Sequence, residues 1–399
     1  MRQQWDRWPA ARVGRGLTLL LVLVIVRGAP ITVASPARTA AVDRTATPSP
    51  DAEEVAVTFR SGADAIDGSL LLPRAARGQK LPAAVILSGS GSVDRDGNTP
   101  ILPGPINTNL NFARALARDG LASLRYDKLG TGTTGMASLR DPAQIGFTTY
   151  VDGARAAYAY LRSRPEIDPT RVMILGHSEG TLIALVVAGM AIEDGVEPRA
   201  LVLAAPLGLP YLEMIRRQVI DQYTQALKAG QVTREQLTAV TGEIDRINRS
   251  LTESGHLPAT IESPELRPLF NPANERFLAE VARYDPRQLA AALPPSLPVL
   301  ILHGSKDQQV SAADTQAILD GFRNGGAQDV TLVELPGVNH VFKEVPGTPN
   351  PVKDYPDPDL PFSREAAARL RDFVDTHLSR AVRPEHSPLA TPRETTVTS

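Results

Sequence analysis

The segment Gly176-His177-Ser178-Glu179-Gly180 carries the clearest chemical signal in the chain. A serine hydroxyl is a weak nucleophile near neutral pH and gains strength beside a base that is itself held by an acid. The segment stands where the apolar run Val172–Leu175 ends and the apolar stretch Thr181–Met190 begins. A Gly-x-Ser-x-Gly at a strand-to-helix junction is a nucleophile elbow, whose glycines permit a turn so sharp that the hydroxyl stands clear of the sheet. The helix N-terminus beneath it favours developing negative charge. The implied chemistry is acyl transfer through Ser178.

The base must come from six histidines. His177 lies inside the elbow, His256 in a helical stretch, His303 at a strand end, His377 near the end of the last helix and His386 in the tail. His340 alone follows the last expected strand in a loop, Pro336-Gly-Val-Asn-His340, from which an imidazole can reach back over the sheet edge. Asp307 follows the strand Val299–Leu302 and is the expected acid; Asp314, Asp320 and Asp329 lie in or after the next helix. The order Ser178, Asp307, His340 is the one this sheet type uses. An oxyanion hole should join the amide of Glu179 to one from Ser88-Gly-Ser-Gly-Ser92. Ser90 is the choice, with Gly89 and Gly91 as alternatives, since sequence does not encode amide direction.

Positioning such groups requires a sheet. Short unalternating apolar runs at Ala84–Leu87, Ala122–Arg125, Val172–Leu175, Ala200–Ala204, Val299–Leu302 and Val330–Leu335 alternate with helix-like segments such as Asn111–Arg118 and Tyr150–Arg162. That pattern predicts an α/β fold with a mostly parallel central sheet flanked by helices. Val55–Phe59 and Gly68–Pro73 predict a starting hairpin. From 207 to 295 the strand signal gives way to helical stripes. Leu212, Ile215, Val219, Tyr223 and Leu227 form one, Gly230 stops it, and Thr233-Arg-Glu-Gln236 opens a second helix as a capping box. The expected organisation is a core of 55–206 and 296–380 with a helical cap insertion at 207–295.

Residues 1–34 read as a signal peptide: Arg2, Arg7, Arg12 and Arg15 precede the apolar run Leu17–Val26, which falls short of the roughly 20 residues a membrane span needs. Thr32-Val33-Ala34 is the candidate cleavage site. The expected location is extracellular or periplasmic, with an uncleaved membrane anchor as the alternative. Residues 35–54 read as a flexible linker and 381–399 as a disordered tail.

Composition removes other classes. The 399 residues carry 42 Lys and Arg against 44 Asp and Glu, and no Cys. Near-neutral charge disfavours a nucleic-acid partner, and the missing thiols exclude disulfides and a Cys nucleophile. Gly130-Thr-Gly-Thr-Thr-Gly135 matches a dinucleotide fingerprint in letters but opens no apolar helix. Asp94-Arg-Asp-Gly-Asn98 resembles the start of a calcium loop but lacks the later ligands. No metal or organic cofactor is expected.

Gly89-Ser-Gly-Ser-Val-Asp-Arg-Asp-Gly-Asn98, Arg125-Tyr-Asp-Lys-Leu-Gly130, the elbow and Val338-Asn-His-Val-Phe-Lys343 resemble segments of the α/β-hydrolase superfamily. More narrowly, they look like exported bacterial esterases and peptidase-like hydrolases grouped with serine aminopeptidases. The resemblance spans roughly 55–380 and implies Ser178 as nucleophile, His340 as base, Asp307 as acid and a cap over the site. Ser92 stands where many relatives have Pro, and Ser88 where many hydrolases have His. The expected partner is a small-molecule carboxylic ester of short or medium acyl chain. A short peptide, cleaved as by an aminopeptidase or dipeptidyl peptidase, is the alternative, and a non-catalytic binding module the third reading. Tyr211, Met214, Phe270 and Phe277 are expected either to line an acyl pocket or to pack the cap.

Overall fold

The computed structural model describes residues 52–74 and 79–378. The expected signal peptide, most of the linker and the C-terminal tail lie outside the described residues. Eight strands form one sheet: β1 (Ala52–Ser61), β2 (Asp64–Pro73), β3 (Leu81–Leu87), β4 (Ala122–Tyr126), β5 (Ile167–His177), β6 (Leu201–Ala204), β7 (Val299–Gly304) and β8 (Val330–Leu335). Their spatial order is β1-β2-β4-β3-β5-β6-β7-β8. β2 pairs antiparallel with β1 and β4, and every later pairing is parallel. β1 begins at Ala52, inside the span expected to be linker. Glu53 and Glu54 join the ladder opposite Leu72 and Leu71 through backbone alone, and the Glu54 carboxylate meets Arg125 at 2.7 Å. Backbone pairing of this kind leaves no apolar signature in the sequence.

The helices are α1 (Thr108–Arg118), α2 (Phe147–Ser163), α3 (Glu179–Glu193), α4 (Tyr211–Lys228), α5 (Arg234–Ser254), α6 (Pro272–Val281), α7 (Pro286–Ala292), α8 (Ala312–Asn324), α9 (Pro351–Asp354) and α10 (Arg364–His377). Successive strand residues point to opposite faces, so an apolar run is needed where both faces are covered. Val85, Leu87, Val172 and Ile174 join one core with residues of α2, α3 and α8; Ala84, Ile86, Met173 and Leu175 join the other with α1 and α10. Helix α3 is buried nearly all round, which explains why its sequence has no polar face.

Helices α4 to α7 lie between β6 and β7. The stripes expected from sequence meet: Ile215, Val219 and Tyr223 of α4 and Val240, Ile244, Ile247 and Leu251 of α5 are buried in one core. Thr233 caps α5 in both directions, its Oγ1 accepting from Gln236 N–H at 3.3 Å while Gln236 Oε1 accepts from Thr233 N–H at 2.8 Å. Helix α7 packs against α3 and α8, in the layer that flanks the sheet.

Candidate active site

Ser178 occupies the junction of β5 and α3 with φ 55° and ψ −123°. Such a conformation costs a non-glycine residue about 1–3 kcal/mol and persists only where the surroundings enforce it. They do so here. Ser178 N–H donates to Ala204 O of β6 at 2.9 Å, and Thr181 returns both its N–H and its hydroxyl to Ser178 O, at 2.9 and 2.6 Å. The flanking glycines are a matter of space: a Cβ on Gly180 would lie 2.2 Å from Leu87 O, and one on Gly176 would lie 2.3 Å from Gly180 O.

His340 sits on the loop after β8, as the sequence predicts. Asn339 shapes this loop, its Oδ1 accepting from the N–H groups of Val341 and Lys343 at 3.2 and 2.9 Å. His340 Nδ1 contacts Asp307 Oδ2 at 2.8 Å, and both side chains are buried. A carboxylate only accepts, so Nδ1 carries the proton and Nε2 is left as the basic nitrogen. Asp307 Oδ1 accepts from Gln309 N–H at 2.8 Å and Val310 N–H at 2.9 Å. Burial pushes the Asp307 carboxyl up, but His340 and these two amides outweigh it and hold the group below its ordinary value.

His177, a bystander in the sequence, supports this arrangement. Its Nε2–H donates to the backbone carbonyl of His340 at 2.9 Å, and the two rings lie 4.9 Å apart. Burial, with the neighbouring His340 adding to it, pushes His177 down to about 3, so the ring is neutral at ordinary pH.

Ser178 and His340 line one cavity of about 30 Å³ with Ser90, Val93, Ile106 and Val341. No hydrogen bond joins the Ser178 hydroxyl to the imidazole among the described residues, and substrate binding commonly tightens such contacts. A smaller space of about 10 Å³ also borders Ser178, lined by Ser90, Glu179, Tyr211, Met214 and Gln309. It shares Gln218, Gln309 and Val310 with an outer cleft of about 850 Å³. Tyr211 and Met214 thus face the site, whereas Phe270 and Phe277 are buried in the packed core and line neither cavity.

Residues 106–344 match the family model for serine aminopeptidase, S33. The chain belongs to that family. A curated relative, Esterase EstD of Thermotoga maritima, is 25% identical over 289 residues, covering 72% of this chain and 60% of the relative. The match therefore spans less than two thirds of that relative's length. Among solved structures, Est1E of Butyrivibrio proteoclasticus with ferulic acid bound aligns at a TM-score of 0.50 with 16% identity, over 81% of this chain and 100% of its own. An esterase of Pyrococcus furiosus aligns at 0.50 with 13% identity, over 82% and 92%. Both share the α/β-hydrolase fold.

Sequence reasoning on this S33-family chain missed Lys128, Gln218 and Gln309. Lys128 lies in a motif that the resemblance picked out, yet only the fold brings its ammonium to 2.6 Å from Gly89 O and 3.3 Å from Glu179 Oε1. The two sequence decoys resolve into turns. Asp127 Oδ2 accepts from Thr133 N–H at 2.9 Å inside Gly130–Gly135, and Asp94 Oδ1 accepts from the N–H groups of Asp96 and Asn98, both at 2.9 Å.

Proposed function

We propose that this chain is an exported serine hydrolase that cleaves carboxylic esters of short acyl chain. The observation that carries the reading is the 2.8 Å contact of Asp307 with His340 beside a serine held in a strained elbow. In this reading His340 Nε2 takes the Ser178 proton as Oγ bonds to the ester carbonyl carbon, and the carbonyl electron pair moves onto oxygen. The N–H groups of Ser90 and Glu179 hold that oxyanion. Asp307 stabilises the imidazolium. Collapse expels the alcohol, which takes its proton from His340; water then repeats the path, releasing the acid and restoring Ser178.

The 30 Å³ cavity with its Val93, Ile106 and Val341 walls suits a small acyl group. The family name favours a peptidase as the second reading. An aminopeptidase needs a carboxylate for the substrate amine, and Glu179, which lines the smaller inner space, already engages Lys128 and accepts from Tyr211 OH at 3.1 Å. That engagement weighs toward esters, as does the name of the Thermotoga relative.

Mass spectrometry after exposure to a fluorophosphonate tests the reading, alongside hydrolysis of p-nitrophenyl esters and aminoacyl p-nitroanilides. One adduct, on Ser178, with ester turnover that Ser178→Ala abolishes, is the expected result. Faster anilide cleavage would make it a peptidase, and neither adduct nor turnover would leave a binding module. Export rests on the layout of residues 1–34. The secreted protein should begin at or near Ser35, and an intact Met1 on it would exclude cleavage.

A further inference from the structure

We infer that Lys128 is a positioning residue that aims the Ser90 amide at the reacting oxygen; the inference rests on the serine-hydrolase reading above. Lys128 follows β4 and is buried, its ammonium lying 4.6 Å from the centre of the Tyr150 ring. The ammonium donates to a backbone oxygen, Gly89 O, at 2.6 Å and to Glu179 Oε1 at 3.3 Å.

The Gly89 carbonyl and the Ser90 N–H belong to the same peptide unit. The unit is trans, as are all peptide bonds among the described residues, and resonance keeps a peptide unit planar, so its C=O and N–H point in opposite directions. An ammonium that fixes the carbonyl on one side thereby fixes the N–H on the other. In this inference that other side is the space beside Ser178. Ser90 and Ser178 line the same two cavities, and a Cβ on Gly89 would lie 3.3 Å from Ser178 Cβ. A cation on the carbonyl oxygen also polarises the amide, which makes the N–H a better donor.

The same ammonium pairs with the side chain of Glu179, whose own N–H is the second proposed donor, and both side chains are 2% exposed. One buried charge therefore ties the loop after β3 to the first turn of α3. Tyr211 OH, on the Glu179 carboxylate at 3.1 Å, extends the tie to α4. Burying an ammonium is costly unless it is fully engaged, and an ion pair serving stability alone would need Glu179 but not Gly89.

Lys128→Met tests this, but it strands the Glu179 carboxylate and threatens the fold. Lys128→Met/Glu179→Gln removes both charges together and keeps the Glu179 backbone N–H. Full-length wild type and both variants would be assayed with p-nitrophenyl acetate, thermal unfolding and binding of a trifluoromethyl ketone, which adds the serine hydroxyl and leaves an oxyanion in the hole. The expected result for the double variant is near-wild-type unfolding with kcat reduced about 10²-fold, KM within about twofold and ketone affinity weakened in parallel with kcat. Wild-type kcat in the double variant, or a raised KM with unchanged kcat, would overturn the role of Lys128 while leaving Ser178 as nucleophile. Absence of any fluorophosphonate adduct on the wild type would instead overturn the hydrolase reading, and this inference with it.

Discussion

The His177 ring bridges two parts of the site that are far apart in the chain, since it neighbours Ser178 in sequence and donates to the backbone carbonyl of His340. This geometry requires the ring to be neutral or at least to keep its Nε2 proton, and burial together with the nearby His340 holds its pKa down to about 3 against an ordinary 6.5. Above pH 6.5 the ring is neutral folded or unfolded and contributes no pH dependence. As pH falls below 6.5 the unfolded chain takes up a proton that the folded chain refuses until about 3, so stability declines across that window. His377, also held low by burial, acts in the same direction. His177→Gln, which keeps a side-chain N–H donor, should therefore flatten the fall in melting temperature between pH 6.5 and 4.5; an unchanged slope would assign the effect elsewhere. The meeting of Asp307 with His340 was readable from residue type, chain order and position after a strand. His177 and Lys128 were not, because their partners are backbone oxygens that only the tertiary fold brings to them.

At the scale of elements, the elbow works because β5, β3 and α3 approach more closely than side chains allow. A methyl at Gly180 would stand 2.2 Å from Leu87 O, so the first turn of α3 or the end of β3 would have to move. Gly180→Ala should lower unfolding free energy by about 1–3 kcal/mol, measured by urea titration, and should reduce turnover as well, since Leu87 leads into the loop carrying Ser90. Full activity in a stable Gly180→Ala protein would show that the contact relaxes without disturbing the site. Each expected strand lies largely within an observed one because a parallel sheet covered on both faces demands continuous apolar runs. Helices α4 and α5 were legible for a related reason: their stripes keep the helical period, and Thr233 with Gln236 marks a start in plain letters. Strand β1 ran past its expected edge into polar residues because ladder pairing through backbone needs no particular side chain.

At the scale of the whole molecule, the helices inserted between β6 and β7 are tied to the rest of the fold through α4. Helix α4 supplies Tyr211 and Met214 to the inner space beside Ser178. One turn further on, Arg217 forms a two-pronged ion pair with Asp314 at the start of α8, at 2.5 and 2.6 Å, and Gln218 Nε2 donates to Gln309 O at 3.0 Å. Asp314 also accepts from the Ser311 N–H and hydroxyl, both at 2.8 Å, so it is anchored in the core whether or not Arg217 is present. Nothing in the sequence pairs residue 217 with residue 314; amphipathic periodicity tells which face of α4 is buried but not which core carboxylate its flank meets. The pair should therefore control the placement of α4 without entering the chemistry. Arg217→Met is expected to lower unfolding free energy by about 2 kcal/mol, the scale of a charged hydrogen-bonded contact that is partly exposed. It should raise KM for p-nitrophenyl esters roughly tenfold, because Tyr211 and Met214 lose their fixed approach to the substrate. The rate at which a small fluorophosphonate labels Ser178 should stay at the wild-type value, since Asp307, His340 and the elbow belong to the sheet side. A labelling rate that fell in step with the loss of substrate affinity would mean that α4 takes part in shaping the reacting groups themselves.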